Sequence, residues 1–172
     1  MLKQRLEDSK IMNSEILIID YTDDHQPGFK QLNLEWLDHY DLTESHDLEV
    51  LNNPRETILN KGGVIYLASC GEMIVGSAAL MKENEGVYQL AKMAVTKDFR
   101  GRGISRLLID KCLDKAGEFN ARKIILFSNH LLQTAIALYE KYGFKHVDAK
   151  DSPFETADIK MELELFPVNI LK

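Results

Sequence analysis

The spacing of hydrophobic residues changes character along the chain, and each change marks an element. Leu2, Leu6 and Ile11 form an imperfect helical stripe, so residues 1–13 read as a short helix or a frayed tail. The apolar run inside Glu15–Asp20 is too short for a helix and predicts a strand. Pro27 suits a helix start, and Phe29, Leu32, Leu34, Trp36 and Leu37 carry that helix to about Tyr40. A second helical stretch, with Thr43 as its N-cap, holds Leu48 and Leu51 and is broken by Asn52-Asn53-Pro54. Pro54 opens a further short helix that ends at Lys61-Gly62-Gly63.

From Gly63 the pattern turns to strand. Val64–Cys70, the Gly71-Glu72 turn and Met73–Leu80 predict a hairpin, and a second turn at Asn84–Gly86 leads into a strand over Val87–Thr96. A helix from Gly103 to about Phe119, a strand over Lys123–Ser128 and a helix over Gln133–Tyr142 stopped by Gly143 follow. Two strands, Phe144–Val147 and Ala157–Leu165, close the pattern. Three antiparallel strands followed by strand, helix, strand, helix and strand predict a mixed α/β (α+β) fold. It is a mostly antiparallel sheet of about six or seven strands with helices on both faces. No repeat, low-complexity tract or linker interrupts it, and 172 residues suit one domain over 1–172.

Composition narrows the classes. A net charge of −6 disfavours general affinity for nucleic acid or an anionic membrane, and an acidic surface tolerates a cationic substrate. No apolar run approaches the length of a membrane span, and MLKQRLEDSK lacks the apolar core of a signal peptide, so a cytoplasmic location is the expectation. Cys70 and Cys112 have no metal-type spacing and are expected to be buried free thiols. His25, His39, His46, His130 and His146 are scattered without ligand spacing, and no metal site is expected.

The candidate chemistry concentrates in LAKMAVTKDFRGRGISR, Leu90 to Arg106: a strand, a basic loop and the start of a helix. Gly101 and Gly103 let the backbone turn sharply and lie close to a ligand, while the free amides of the helix start sit at the positive end of the helix dipole. That arrangement suits a phosphate, and Arg100, Arg102 and Arg106 add positive charge in an acidic chain. The dinucleotide fingerprint fails because its third glycine falls on Arg106, and the Walker loop fails because Gly-Lys-Ser/Thr is absent.

Val95-Thr-Lys-Asp-Phe-Arg100-Gly-Arg-Gly-Ile-Ser105, followed by Leu107-Leu108, resembles the acetyl-CoA-binding motif of the GCN5-related N-acetyltransferases (GNAT), Gln/Arg-x-x-Gly-x-Gly/Ala. Ser105 stands where that family prefers glycine or alanine. Ala135-Ile-Ala-Leu-Tyr139-Glu-Lys-Tyr-Gly-Phe144 resembles the family's Leu-Tyr-x-Lys-x-Gly-Phe segment, roughly 40 residues further on. The resemblance is clear over residues 63–165.

The resemblance implies the same architecture and acetyl-CoA as cofactor. It also implies a bulge that splays the fourth strand from the fifth, so that the pantetheine arm adds to the exposed backbone of Met93, Ala94 and Val95. Arg100, Gly101, Arg102, Gly103, Ile104, Ser105 and Arg106 become the candidate phosphate cradle. Asn129 becomes the candidate replacement for an asparagine that relatives carry where Leu132 stands. His130, at the same strand end, should face the thioester. Tyr139 matches the tyrosine that protonates the departing thiolate, a role a phenol of pKa ~10 can fill and recover from.

Relatives often place a glutamate early in the fourth strand to take the proton of the acceptor amine. The matching residue here is Gln89, which cannot act as a base, so a water chain, Glu85, Glu35 or an amine with a lowered pKa must serve. Glu35 and Trp36 lie where relatives line the acceptor pocket. The implied activity is transfer of an acetyl group from acetyl-CoA to the primary amine of a small molecule or peptide by direct attack on the thioester. A non-catalytic acyl-CoA-binding or sensing domain is the alternative, and a nucleotide-binding regulatory domain a more distant one. Relatives frequently pair through terminal strands, which makes a homodimer a candidate assembly.

Overall fold

The computed structural model describes residues 1–166 and contains one seven-stranded sheet. A helix α1 (Leu2–Met12) precedes strand β1 (Ile16–Asp20), which settles the first residues as helix. Helices α2 (Gln26–His39) and α3 (Ser45–Asn52) follow, and Arg55–Leu59 is a single π-helical turn. Strands β2 (Val64–Cys70), β3 (Met73–Asn84) and β4 (Val87–Val95) form an antiparallel meander. Helix α4 (Ile104–Glu118), strand β5 (Lys123–Ser128), helix α5 (Gln133–Lys141) and strands β6 (Lys145–Val147) and β7 (Ile159–Glu164) complete the described chain.

The sheet order is β1-β2-β3-β4-β5-β7-β6, and only the β4–β5 pair is parallel. Helices cover both faces. Ile104, Leu108, Cys112 and Ala116 of α4 pack with Ile136 and Tyr139 of α5 on one side, whereas Phe29, Leu37, Val50 and Leu51 of α2 and α3 fill the other. Gly76 on β3 permits the close seat of α4, since a Cβ there would lie 3.0 Å from Ile104 Cγ2 and 3.1 Å from Leu108 Cδ1. The expected mixed α/β architecture is the one the chain adopts.

Two details differ from the sequence-based reading. Strand β3 runs past Leu80 to Asn84, because its polar end pairs with the start of β4. The N-cap of α3 is Glu44, not Thr43. The Glu44 amide donates to Asp47 Oδ2 at 3.1 Å in a reciprocal capping box, while the Thr43 hydroxyl turns away to Asp38.

What positions the site is the break between β4 and β5. They pair only at Val87, Tyr88 and Gln89 against Lys123, Ile124 and Ile125, although both strands continue. A bulge on the β3 side accompanies the split. Ser77 faces Ala94 and Ala79 faces Ala91, so Lys92 and Met93 stand opposite the single residue Ala78. Lys92 adopts φ 53°, and the Ser77 hydroxyl fixes it by donating to the Lys92 carbonyl at 2.6 Å. The buried Asn33 amide in turn donates to Ser77 Oγ at 3.1 Å, tying the bulge to α2.

Candidate active site

Beyond Gln89 the separated strands leave the β4 backbone facing open space, and a cleft of about 870 Å³ runs along it. Met93, Ala94 and Val95 line this cleft together with Arg100, Gly101, Gly103, Ile104, Ser105 and Arg106. Gly101 and Gly103 have φ 76° and 77°, a region that side chains with a Cβ rarely enter. A Cβ at either would meet nothing within 4 Å, so the loop presents bare backbone to the cleft. Gly103 caps α4 without a side-chain hydrogen bond, leaving the first amides of a 15-residue helix for an anion. Lys92, Arg100, Arg106 and Lys141 are the charged residues along the cleft, and no carboxylate is among its lining residues. Bare glycine backbone and cationic side chains in a trough without carboxylates make an arrangement suited to an anion.

Two of the expected cofactor residues stand elsewhere. Arg102 points away: its guanidinium lies 4.6 Å from the Phe99 ring centroid and donates to the Met12 carbonyl at 3.0 Å, closing the end of α1. Asn129 borders a second, smaller pocket, with its Nδ2 given to the Thr156 carbonyl at 2.6 Å and its Oδ1 accepting from the Leu131 amide at 2.9 Å. His130 is hydrogen-bonded to Asp158 through its Nδ1 and lines neither pocket.

Tyr139 lines the large cleft from α5 and is 7% exposed, its ring edge-on to Phe144 at a centroid distance of 5.8 Å. Burial, helped by the nearby Cys112 thiol, raises its pKa above the ordinary tyrosine value, which keeps the phenol protonated and able to donate. Tyr142 is different in kind. Its hydroxyl donates to Asp110 at 2.7 Å and locks α5 to α4. Cys112 is a buried free thiol pushed up to about 12 by desolvation, and Cys70 is spent on the Ile11 carbonyl at 2.8 Å. Neither is an activated nucleophile.

The smaller pocket, about 90 Å³, meets the large cleft at Trp36, Leu90, Ala91, Lys92, Phe127, Ser128 and Leu132. Gln89 lines it and is 6% exposed. Trp36 borders both spaces, and its Nε1 is buried without a hydrogen-bond partner. Glu35 does not reach either pocket, because its carboxylate accepts from Thr96 Oγ1 at 3.0 Å and from the Lys97 amide at 3.2 Å. Glu85 is also remote, sitting at the β3–β4 turn in an exposed contact with Lys82 at 3.5 Å.

The smaller pocket also contains residues that the sequence reading passed over. Lys92 and Asp47 form an ion pair at 2.6 Å with both side chains 7% exposed. A lysine inside the otherwise apolar run of β4 was the available signal, since a charge in a buried strand requires a partner. Its partner lies 45 residues upstream on another element, which no local pattern reveals. The pocket roof, Phe154 to Ala157, is held by Glu44, whose carboxylate accepts from the Glu155 amide at 3.0 Å and the Thr156 amide at 3.1 Å.

Comparison with known proteins follows the same line. The model of the acetyltransferase (GNAT) domain matches residues 61–146, half of the 172. Human N-acetylaspartate synthetase is 33% identical over 91 residues, 52% of this chain and 30% of that protein. The uncharacterized N-acetyltransferase YjgM of Escherichia coli K12 is 32% identical over 80 residues, 45% of this chain and 48% of that protein. The matched stretches thus span less than half of either relative. A GNAT-family acetyltransferase structure from Staphylococcus aureus Mu50 superposes with TM-score 0.82 at 24% identity, over 88% of this chain and all of that one. The PaiA N-acetyltransferase from Thermoplasma acidophilum, in complex with coenzyme A, gives 0.69 at 14% identity over 88% and 99%. At these identities the structural likeness speaks for the fold.

Proposed function

This chain belongs to the GNAT acetyltransferase family, and on that premise we propose that it is one N-acetyltransferase domain moving an acetyl group from acetyl-CoA to a primary amine. The observation that carries the reading is the composition of the large cleft. Bare glycine backbone, an uncapped helix start and cationic side chains line it without a carboxylate, and it runs along the open edge of β4 to the buried Tyr139.

Acetyl-CoA, when bound, supplies an acyl group activated toward amines as a thioester. Gly101, Gly103, Ile104 and Ser105 offer backbone to its phosphates, and Arg100 and Arg106 offer charge. Met93, Ala94 and Val95 offer main-chain groups to the extended arm, as a strand edge does to an added strand. Arg102 and Asn129 do not line this cleft, their side chains being bonded to the Met12 and Thr156 carbonyls. The acceptor amine enters from the smaller pocket and attacks the acetyl carbonyl, a backbone amide of the Met93–Val95 stretch donates to the developing oxyanion, and Tyr139 gives its proton to the departing sulfur. No covalent enzyme intermediate forms.

Asp47, the one carboxylate among the lining residues, is committed to Lys92, and Gln89 is not a base. The amine therefore reacts as the free base and loses its proton to water. The same feature favours the second reading, a non-catalytic acyl-CoA-binding domain. Steady-state release of free CoA thiol across a panel of amines separates the two. Amine-dependent release is the expected result; tight cofactor binding with no release for any amine would overturn the catalytic reading.

A further inference from the structure

The hydrogen-bond account of the smaller pocket does not balance. On the acceptor side, both Asp47 oxygens are used, Oδ1 by Lys92 at 2.6 Å and Oδ2 by the Glu44 amide at 3.1 Å, and Asn129 is satisfied at both ends of its amide. On the donor side, Trp36 Nε1–H is buried with no partner, and the Lys92 ammonium spends one of its three N–H groups on Asp47. A cation with N–H groups to spare and a partnerless indole N–H, both on residues that line one pocket, call for an anionic, multiply accepting ligand group, and a carboxylate supplies both the charge and the lone pairs.

The charge of Lys92 is available for such a ligand despite its partner. Asp47 sits in the first turn of α3, where the helix dipole and the Glu44 amide already stabilise its negative charge. The bulge fixes the direction of Lys92, since Ser77 and Asn33 lock its backbone in the left-handed region from beneath. Leu90 and Lys92 also border the large cleft, so a ligand group seated at Lys92 keeps the rest of the molecule close to the β4 edge. Size and walls narrow the class further. About 90 Å³ under a roof pinned by Glu44 suits a small acceptor, and Leu37, Leu42, Phe127 and Phe154 offer nothing to a second charge.

We propose that the smaller pocket is a carboxylate-recognition site and that the acceptor is a small free amino acid with an uncharged side chain, its carboxylate held by Lys92 and Trp36 and its amine turned toward the large cleft. The inference rests on the acetyltransferase reading for the use of that amine, not for its binding. Polyamines are the wrong class, because a second ammonium would meet Lys92.

Calorimetric titration of the CoA-saturated protein with leucine, leucinamide and isopentylamine tests the site without requiring turnover. Leucine is expected to bind at least about a hundredfold more tightly than the other two, because both lack the carboxylate. Trp36→Phe, which deletes the indole N–H together with its five-membered ring, should weaken leucine binding roughly tenfold, and Lys92→Met with Asp47→Asn should abolish it. Equal binding of the amide or amine, tighter binding of spermidine, or no binding by leucine, alanine or serine would overturn the proposal. CoA release measured on the same panel keeps the two claims apart. Acetylation confined to carboxylate-free amines sinks the carboxylate site alone, while amino-acid binding without CoA release sinks the acetyltransferase reading alone.

Discussion

Tyr139 is poised as a donor by burial and not by a partner: desolvation raises its pKa, and no acceptor among the described residues holds its hydroxyl. Tyr139→Phe should lower kcat by roughly a hundredfold or more and leave the acetyl-CoA KM nearly unchanged, since only the proton is lost. Steady-state kinetics with acetyl-CoA varied checks this, and full activity would reduce the residue to packing. Gln89 carries the complementary expectation. With the one lining carboxylate, Asp47, committed to Lys92, the rate should climb about tenfold per pH unit below the amine pKa until another step limits. Gln89→Glu places a carboxylate in the smaller pocket and should move the pH–rate profile toward lower pH. A wild-type plateau near neutrality, or an unshifted profile in the folded variant, would contradict it.

Between β4 and α4 the function of the element is to present backbone. Gly103 sits at φ 77° as the N-cap of α4, with open space where a side chain would stand. Gly103→Val strains the turn and fills the cradle, so CoA affinity measured by calorimetry should fall by more than tenfold while the fold persists. Arg102→Ala should leave that affinity unchanged, because Arg102 holds the end of α1. These elements were legible in the sequence where periodicity and glycine punctuation are local, as in the strand that starts at Val87 and the helix that starts after Gly103. The roles of Arg102, Asn129 and Glu35 were not, because each side chain is claimed by a partner remote in sequence: Met12, Thr156 and Thr96. The Lys92–Asp47 pair was hidden for the same reason. Spacing along a strand tells which face a residue takes, and a bulge at that residue cancels the rule.

Across the molecule, the pocket roof is tied to Glu44, more than a hundred positions away in the chain. Burial pulls the Glu44 pKa upward, but the Thr156 hydroxyl, the two loop amides and His46 outweigh it and leave the group below the ordinary carboxylate range. A depressed folded-state pKa means the latch contributes in full above the unfolded value near 4.5 and is lost as pH falls through the lower folded value. The Thr156 amide resonance should therefore hold its position through pH 4.5 and shift only in stronger acid, and Glu44→Gln should remove that transition.

Charge has the same long reach. A chain of net charge −6 keeps Arg100, Arg106 and Lys141 along a cleft without carboxylates, a field that gathers a polyanion to one place. A crystal structure with CoA bound tests this directly. The pyrophosphate should rest on the backbone of residues 101–105, the arm should follow Met93–Val95, and the sulfur should lie within hydrogen-bond reach of the Tyr139 hydroxyl. CoA bound outside this cleft, or with its sulfur turned away from Tyr139 and the mouth of the smaller pocket, would contradict it.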